Sequence, residues 1–322
     1  MDADALAAEH YRRHARIALA TSRAAAREWQ QMPIADLSTA WATSTGPRLF
    51  AIVAAGQLAS AEGATQYVDL AATAQGAARQ PPALRVNAEA FSGIAADGRS
   101  LGSLLYQPVI RTKAALAGGA TTDRAMHQGL TELLTIVSSE VPDAGRAAVS
   151  TAITADRRCT GYVRVLSPPS CARCVVLAGT VYGWNAGFAR HPHCDCVHLP
   201  TTRYQRGDRT MNPKDYFHGL SRAEQDRTFT VAGARAIRDG ADIGQVVNAR
   251  RSMYSAGSPH RRPLLATREG MTKRGLARQR LKNLEAAGRA PGTVRLMPEA
   301  IYQLASDRDD AIRLLYRYGY LY

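Results

Sequence analysis

Four cysteines fall within 26 residues of this chain, and their spacing constrains it more than any other feature. The segment reads Cys171-Ala-Arg-Cys174, then, after 16 residues, His191-Pro192-His193-Cys194-Asp195-Cys196. A Cys-x-x-Cys turn lets two thiolates face one ion, and zinc takes four such ligands in a tetrahedron. The cluster therefore predicts a zinc site built on Cys171 and Cys174 plus two of His191, Cys194 and Cys196. More candidates than places are present, so the full ligand set stays open. His193 is a weaker candidate and His198 weaker still. Cys159 lies outside the cluster and reads as a plain thiol.

The same stretch separates a structural from a catalytic metal. A catalytic zinc keeps an open position and usually a nearby Glu as base. Residues 159–200 contain no Glu, and their one acid is Asp195. A closed, structural zinc is expected, holding together a segment with little apolar core of its own. A disulfide framework would need an oxidising compartment. The opening MDADALAAEHYRRH has no basic start followed by an apolar run, so no signal peptide is expected and a reducing cytoplasm is. A redox Cys-x-x-Cys would sit in a βαβ pattern, which these flanks lack. A nuclease of the His-Cys type would need acidic metal ligands that His191 and His193 do not have beside them.

Charge divides the chain. Residues 1–150 carry 13 basic and 13 acidic side chains, whereas residues 201–322 carry 23 and 12. Between Arg250 and Arg295 the balance is 12 to 2. Such a block suits a polyanionic neighbour, nucleic acid or an acidic protein surface, while a solvated tail is the plain alternative. Arg250, Arg251, Arg261, Arg262, Lys273, Arg274, Arg278 and Arg280 are the candidate phosphate contacts. Non-specific backbone binding is the expectation, because GMTKRGLARQRL is a poor helix-turn-helix match. No run of about 18 apolar residues appears, so no membrane partner is expected.

Patterning completes the outline. Helices are predicted over 4–30, over about 36–76 with a break near Ser44–Pro47, and over about 106–153 with an interruption at Gly118–Gly119. On the first of these, Ala5, Leu6, His10, Ile17 and Leu19, with Trp29 at the end, mark the apolar face. Strands are predicted at Gly161–Leu166 and around Gly179–Tyr182. Ser221, with Glu224 three residues on, forms a capping box that starts a helix running to Asp239. Shorter helices follow at Ile243–Arg251, Pro298–Leu304 and Arg308–Tyr318. The fold class is mainly α (α+β). A helical docking or assembly domain is expected at 1–153, a small β-rich zinc-knuckle-like centre at 154–205, and a basic helical region at 206–322.

At the cysteines the sequence resembles the Mu F-type minor head proteins of tailed bacteriophages, in the branch found in actinobacterial phages. That family's hallmark is a Cys-x-x-Cys after a strand, a short Leu-x-Gly-x-Val segment, and a His-Pro-x-Cys-x-Cys-x-x-x-Pro closure. Here it stands as CARCVVLAGTVY and HPHCDCVHLP. Cys171, Cys174, His191, Pro192, Cys194 and Cys196 match, as do Leu177, Gly179 and Val181, and GYVRVL matches the entering strand. The specific part covers about 160–200, and the flanks resemble such proteins more loosely. The resemblance implies a minor capsid protein of head morphogenesis, made in the host cytoplasm and resident in the virion near the portal. Its implied partners are the portal, capsid or scaffold proteins, and packaged double-stranded DNA. Relatives are often labelled capsid maturation proteases, which is the alternative. His218 and Ser221 are neighbours in sequence, but Ser221 is better explained as a cap, so no catalytic residue is assigned.

Overall fold

The computed structural model describes residues 2–82, 84–166, 170–186, 196–203, 212–256, 264–269 and 295–321. It forms two compact units, Met1–Pro168 with Gly179–Thr210, and Pro169–Ala178 with Met211–Tyr322. The class is mainly α, with two small three-stranded sheets.

The first unit opens with α1, Ala3–Gln30, whose N-terminus is capped by Asp2 accepting from the Ala5 N–H at 2.7 Å. Its buried seam is Ala3, Ala7, His14, Thr21, Ala25 and Trp29. Of the apolar face read from the sequence, Trp29 is buried and Leu6 and Ile17 pack against the cores, whereas Leu19 is 52 % exposed. Close helix packing explains the difference. α3 (Gly46–Ala61) and α7 (Thr122–Ala155) lie against α1 through small residues. A Cβ on Gly145 would stand 2.3 Å from His14 Cε1 and 2.5 Å from Ser60 Oγ, and one on Gly56 would stand 2.5 Å from Thr21 Oγ1. Only small side chains admit backbones at that separation.

The break expected near Ser44–Pro47 is absent. α2 (Leu37–Ala40) runs through a π turn, Trp41–Thr45, directly into α3. Pro47 therefore lies inside the helical run, where its missing N–H removes a helical bond, and the ladder shifts at the adjoining π turn, where the Gly46 N–H donates to the Trp41 carbonyl. The chain turns instead at Gly63, φ +79°, before α4 (Ala64–Ala74). α5 (Leu101–Leu105) and α6 (Gln107–Ala117) lead into α7. Leu49, Val53, Leu101, Leu105, Val109, Leu133 and Val137 fill one core between these helices.

The second core joins helices to a sheet. β1 (Cys159–Val165) is central and antiparallel to β2 (Val181–Gly183) and β3 (Val197–Thr202). β3 was not expected. It is buried along its whole length and packs with α1, α4 and α7, although its sequence holds the polar His198, Thr201 and Thr202. Pro200 is tolerated because β3 is an edge strand. Gly161 is required where β1 meets β2, because a Cβ there would lie 2.0 Å from the Tyr182 carbonyl oxygen.

The second unit contains α8 (Ala172–Leu177), α9 (Pro213–Gly219), α10 (Arg222–Phe229), α11 (Val231–Arg238) and α12 (Ile243–Ala249). The single helix expected over 221–239 is two. Thr230 adopts φ 66°, ψ 156°, which ends α10, and its hydroxyl caps α11 by accepting from Gly233 N–H at 3.3 Å. The antiparallel sheet β4 (Met253–Ala256), β5 (Leu264–Thr267) and β6 (Arg295–Leu296) follows. α13 (Pro298–Leu304) and α14 (Arg308–Arg317) match the two final helices expected. Phe217, Phe229, Ile237, Met297, Ile301, Leu315 and Tyr320 are among the buried residues of this unit.

Candidate functional site

The cysteine motif is partly within the described residues. Cys171 is the N-cap of α8, and its Sγ accepts from the Cys174 N–H at 3.4 Å. Cys174 is one turn on, so the two sulfurs share a helix face. Cys171 is exposed and Cys174 buried. The Cys171 thiol is pushed well above its ordinary range, first by the side-chain hydrogen bond with Cys174 and then by burial. A pair tuned this way is a poor nucleophile. It is a fitting half-site for a soft metal, which displaces the thiol protons as it binds.

Cys196 is buried immediately before β3, and its carbonyl accepts from Arg146 Nε at 3.1 Å. His191 and Cys194 lie outside the described residues, as does His193. Among the described residues, no group of three or more His, Cys, Asp or Glu is placed to hold a metal. His198 is a core residue of β3, its ring stacked on Tyr162 at 4.3 Å with Nδ1 3.2 Å from Ser150 Oγ. Cys159 is buried on β1, where burial first and Asp156 second push its thiol up to about 12, the condition of an inert cysteine.

Of the candidate phosphate contacts, two are described. Arg250 Nη1 pairs with Glu299 at 2.6 Å and reaches the Thr230 hydroxyl at 3.4 Å. Arg251 is 54 % exposed at its side chain and lies 3.9 Å from Glu269. Arg261, Arg262, Lys273, Arg274, Arg278 and Arg280 lie outside the described residues. Arg295, at the end of the basic block, is 4 % exposed and structural. It donates to the carbonyls of Tyr318 (2.8 Å) and Glu269 (2.9 Å) and covers the Tyr320 ring. Ser221 forms the capping box read from the sequence, accepting from Glu224 N–H while Glu224 accepts from the Ser221 N–H at 2.9 Å.

Sequence reading missed one polar constellation. His10 and His14, one turn apart on α1, are both withdrawn from solvent. His10 stacks on Tyr67 at 3.9 Å, and His14 Nδ1 lies 2.9 Å from Ser60 Oγ. With Ser138, Arg146 and His198 they line a cavity of about 140 Å³. The i, i+4 spacing of the two imidazoles was the available signal, and it was absorbed into the helical pattern.

These residues define a mainly helical protein with two small antiparallel sheets and a cysteine-capped helix. Among the described residues no helix is long and apolar enough to cross a membrane. A family model described as VG15 protein matches residues 2–222, and the chain belongs to this family, a phage virion gene protein family. The protein is thus a phage protein, associated with the virion. No curated protein and no solved structure matches the chain.

Proposed function

We propose that the protein is a minor capsid component of head morphogenesis, associated with the portal, whose cysteine-rich segment closes around one structural zinc. Cys171 and Cys174 would hold the ion with two of His191, Cys194 and Cys196. When bound, a closed tetrahedral zinc supplies cross-linking and no reaction. The observation that carries this reading is the paired thiols on the first turn of α8, inside the segment that matches the family model and reads as a Mu F-type motif. The charge-balanced N-terminal half suits docking to portal, capsid or scaffold proteins. The basic stretch suits the phosphates of double-stranded DNA, with Arg251, Arg261, Arg262, Lys273, Arg274, Arg278 and Arg280 as contacts. Arg250 is the weaker contact of the set, since Glu299 already holds it.

Quantitative mass spectrometry of purified proheads and virions tests the role. A copy number close to that of the portal, in both particles, supports it. Absence from particles, or a copy number matching the major capsid protein, refutes it. A maturation protease would instead cleave itself or a scaffold in a way abolished by changing one Ser or His. No such cleavage is expected here.

A further inference from the structure

The outer face of α1 concentrates charge that the balanced N-terminal half, taken as a sum, conceals. Arg12, Arg16, Arg23 and Arg27 are all exposed. At about 3.6 residues per turn they fall within about 60° of arc and along about 22 Å of helix. They lie on the side away from the buried seam of Ala7, His14, Thr21 and Ala25. Leu19 sits on the same stripe, between Arg16 and Arg23, and is exposed. Glu9, near the N-terminal end, is the one acid of the helix on this face. Arg48 has Glu28 at 2.8 Å, and Arg13 donates to the carbonyls of Glu62 and Ala59. Among the described residues, by contrast, none of the four stripe arginines makes an ion pair or a side-chain hydrogen bond.

This arrangement works against the helix on its own. A solvated helix face gains when acid and base stand at i and i+4, but Arg12 with Arg16, and Arg23 with Arg27, are like-charge pairs at that spacing. A partner that brings carboxylates removes the repulsion, and its negative charge is drawn to the stripe before contact. Leu19 decides the class of partner. A duplex would offer it only sugar and phosphate, whereas protein interfaces set an apolar side chain at the centre and favour Arg around it. The two arginine pairs repeat after 11 residues, about three helical turns, so carboxylates on one face of a second helix can meet both. We propose that the outer face of α1 docks an acidic helix of a partner protein, with the arginine pairs holding its carboxylates and Leu19 its apolar centre. Which virion protein supplies that helix rests on the docking reading of the N-terminal half; that the face takes an acidic helix does not.

Fluorescence anisotropy of the full chain with two labelled helical peptides, each as long as α1, tests this. One peptide carries Glu at the positions facing the four arginines and Leu opposite Leu19. The other has the same composition with its Glu residues dispersed around the helix. The first should bind with a Kd in about the micromolar range, and about 10-fold or more tighter than the second. Arg16→Gln combined with Arg23→Gln should weaken that binding about 10-fold or more, and Leu19→Ser about 3-fold or more. Arg111→Gln, on α6, should leave it unchanged. A random-sequence DNA duplex should bind the α1 variants as it binds wild type. Circular dichroism monitors folding, and the comparison of the two peptides needs no variant. Equal binding of the two peptides, or unaltered binding in the folded α1 variants, would overturn the proposal. So would loss of duplex affinity in those variants with peptide binding intact, which would make the stripe a nucleic-acid face. The assay uses no particles, so its failure is separate from a failed copy-number test of the minor capsid role.

Discussion

Burial holds His14 at about 4, with Arg13 and Arg146 adding to it, and holds His10 at about 2, where the His14 ring adds to the same effect. Both values lie below the 6.5 expected of the unfolded chain. Between those limits the unfolded chain binds more protons than the folded one, so stability rises with pH across the window. The stability is fully present above about pH 6.5 and is lost as pH falls towards 4 for His14 and lower for His10. The loss at pH 4 amounts to at most about 3 kcal/mol for His14. Denaturant unfolding at pH 7 and pH 4.5 should show this slope, and His14→Gln should flatten it. An equal slope in the variant would place the acid sensitivity elsewhere. Gly145 is the second residue-scale test. An added methyl would meet both His14 and Ser60, so Gly145→Ala should destabilise by about 1–3 kcal/mol. Gly219→Ala, where no atom stands within 4 Å of the new Cβ, should lie within about 0.5 kcal/mol of wild type.

At the scale of elements, helices with strong local signals were legible and segments defined by tertiary contact were not. The α10 start was readable because Ser221 and Glu224 satisfy each other locally. Its early end was not, since Thr230 holds a positive φ that nothing in the local sequence demands. There its hydroxyl caps α11 and donates to Glu299 at 3.3 Å. β3 escaped notice because Pro200 and two threonines follow the short Val197-His198-Leu199 alternation, and its burial on both faces comes only from tertiary contact. β5 and β6 are four and two residues long, too short to carry a pattern. Arg295 shows the same limit in reverse. It was counted with a solvated basic block, yet it ties β6 to the Tyr318 carbonyl and the Glu269 carbonyl. Arg295→Met should therefore cost about 1–3 kcal/mol, because two part-buried carbonyls lose a charged donor. Faster amide exchange in Leu296 and Tyr320 should accompany it. Ser221→Ala removes only a cap and should cost about 1 kcal/mol, measured by the same unfolding curves.

At the scale of the whole molecule, the chain couples a helical unit of close-packed small residues to a phage virion role. The mainly helical class followed from periodicity, and the cysteine motif followed from spacing, because both are local in sequence. The histidine cavity was illegible because it assembles from α1, α3, α7 and β3, and only folding brings those together. The proposed zinc site is where the motif and the fold would meet most directly, since metal affinity in such a segment is also folding free energy. Metal analysis by inductively coupled plasma mass spectrometry on the purified full chain, with thiol alkylation of the same sample, measures this in one step. One zinc per chain is expected, with Cys171 and Cys174 protected from alkylation until a chelator is added, and both the metal and the protection lost in Cys174→Ser. A chain without metal whose Cys171 and Cys174 are alkylated at the same rate with and without chelator would contradict the zinc site outright.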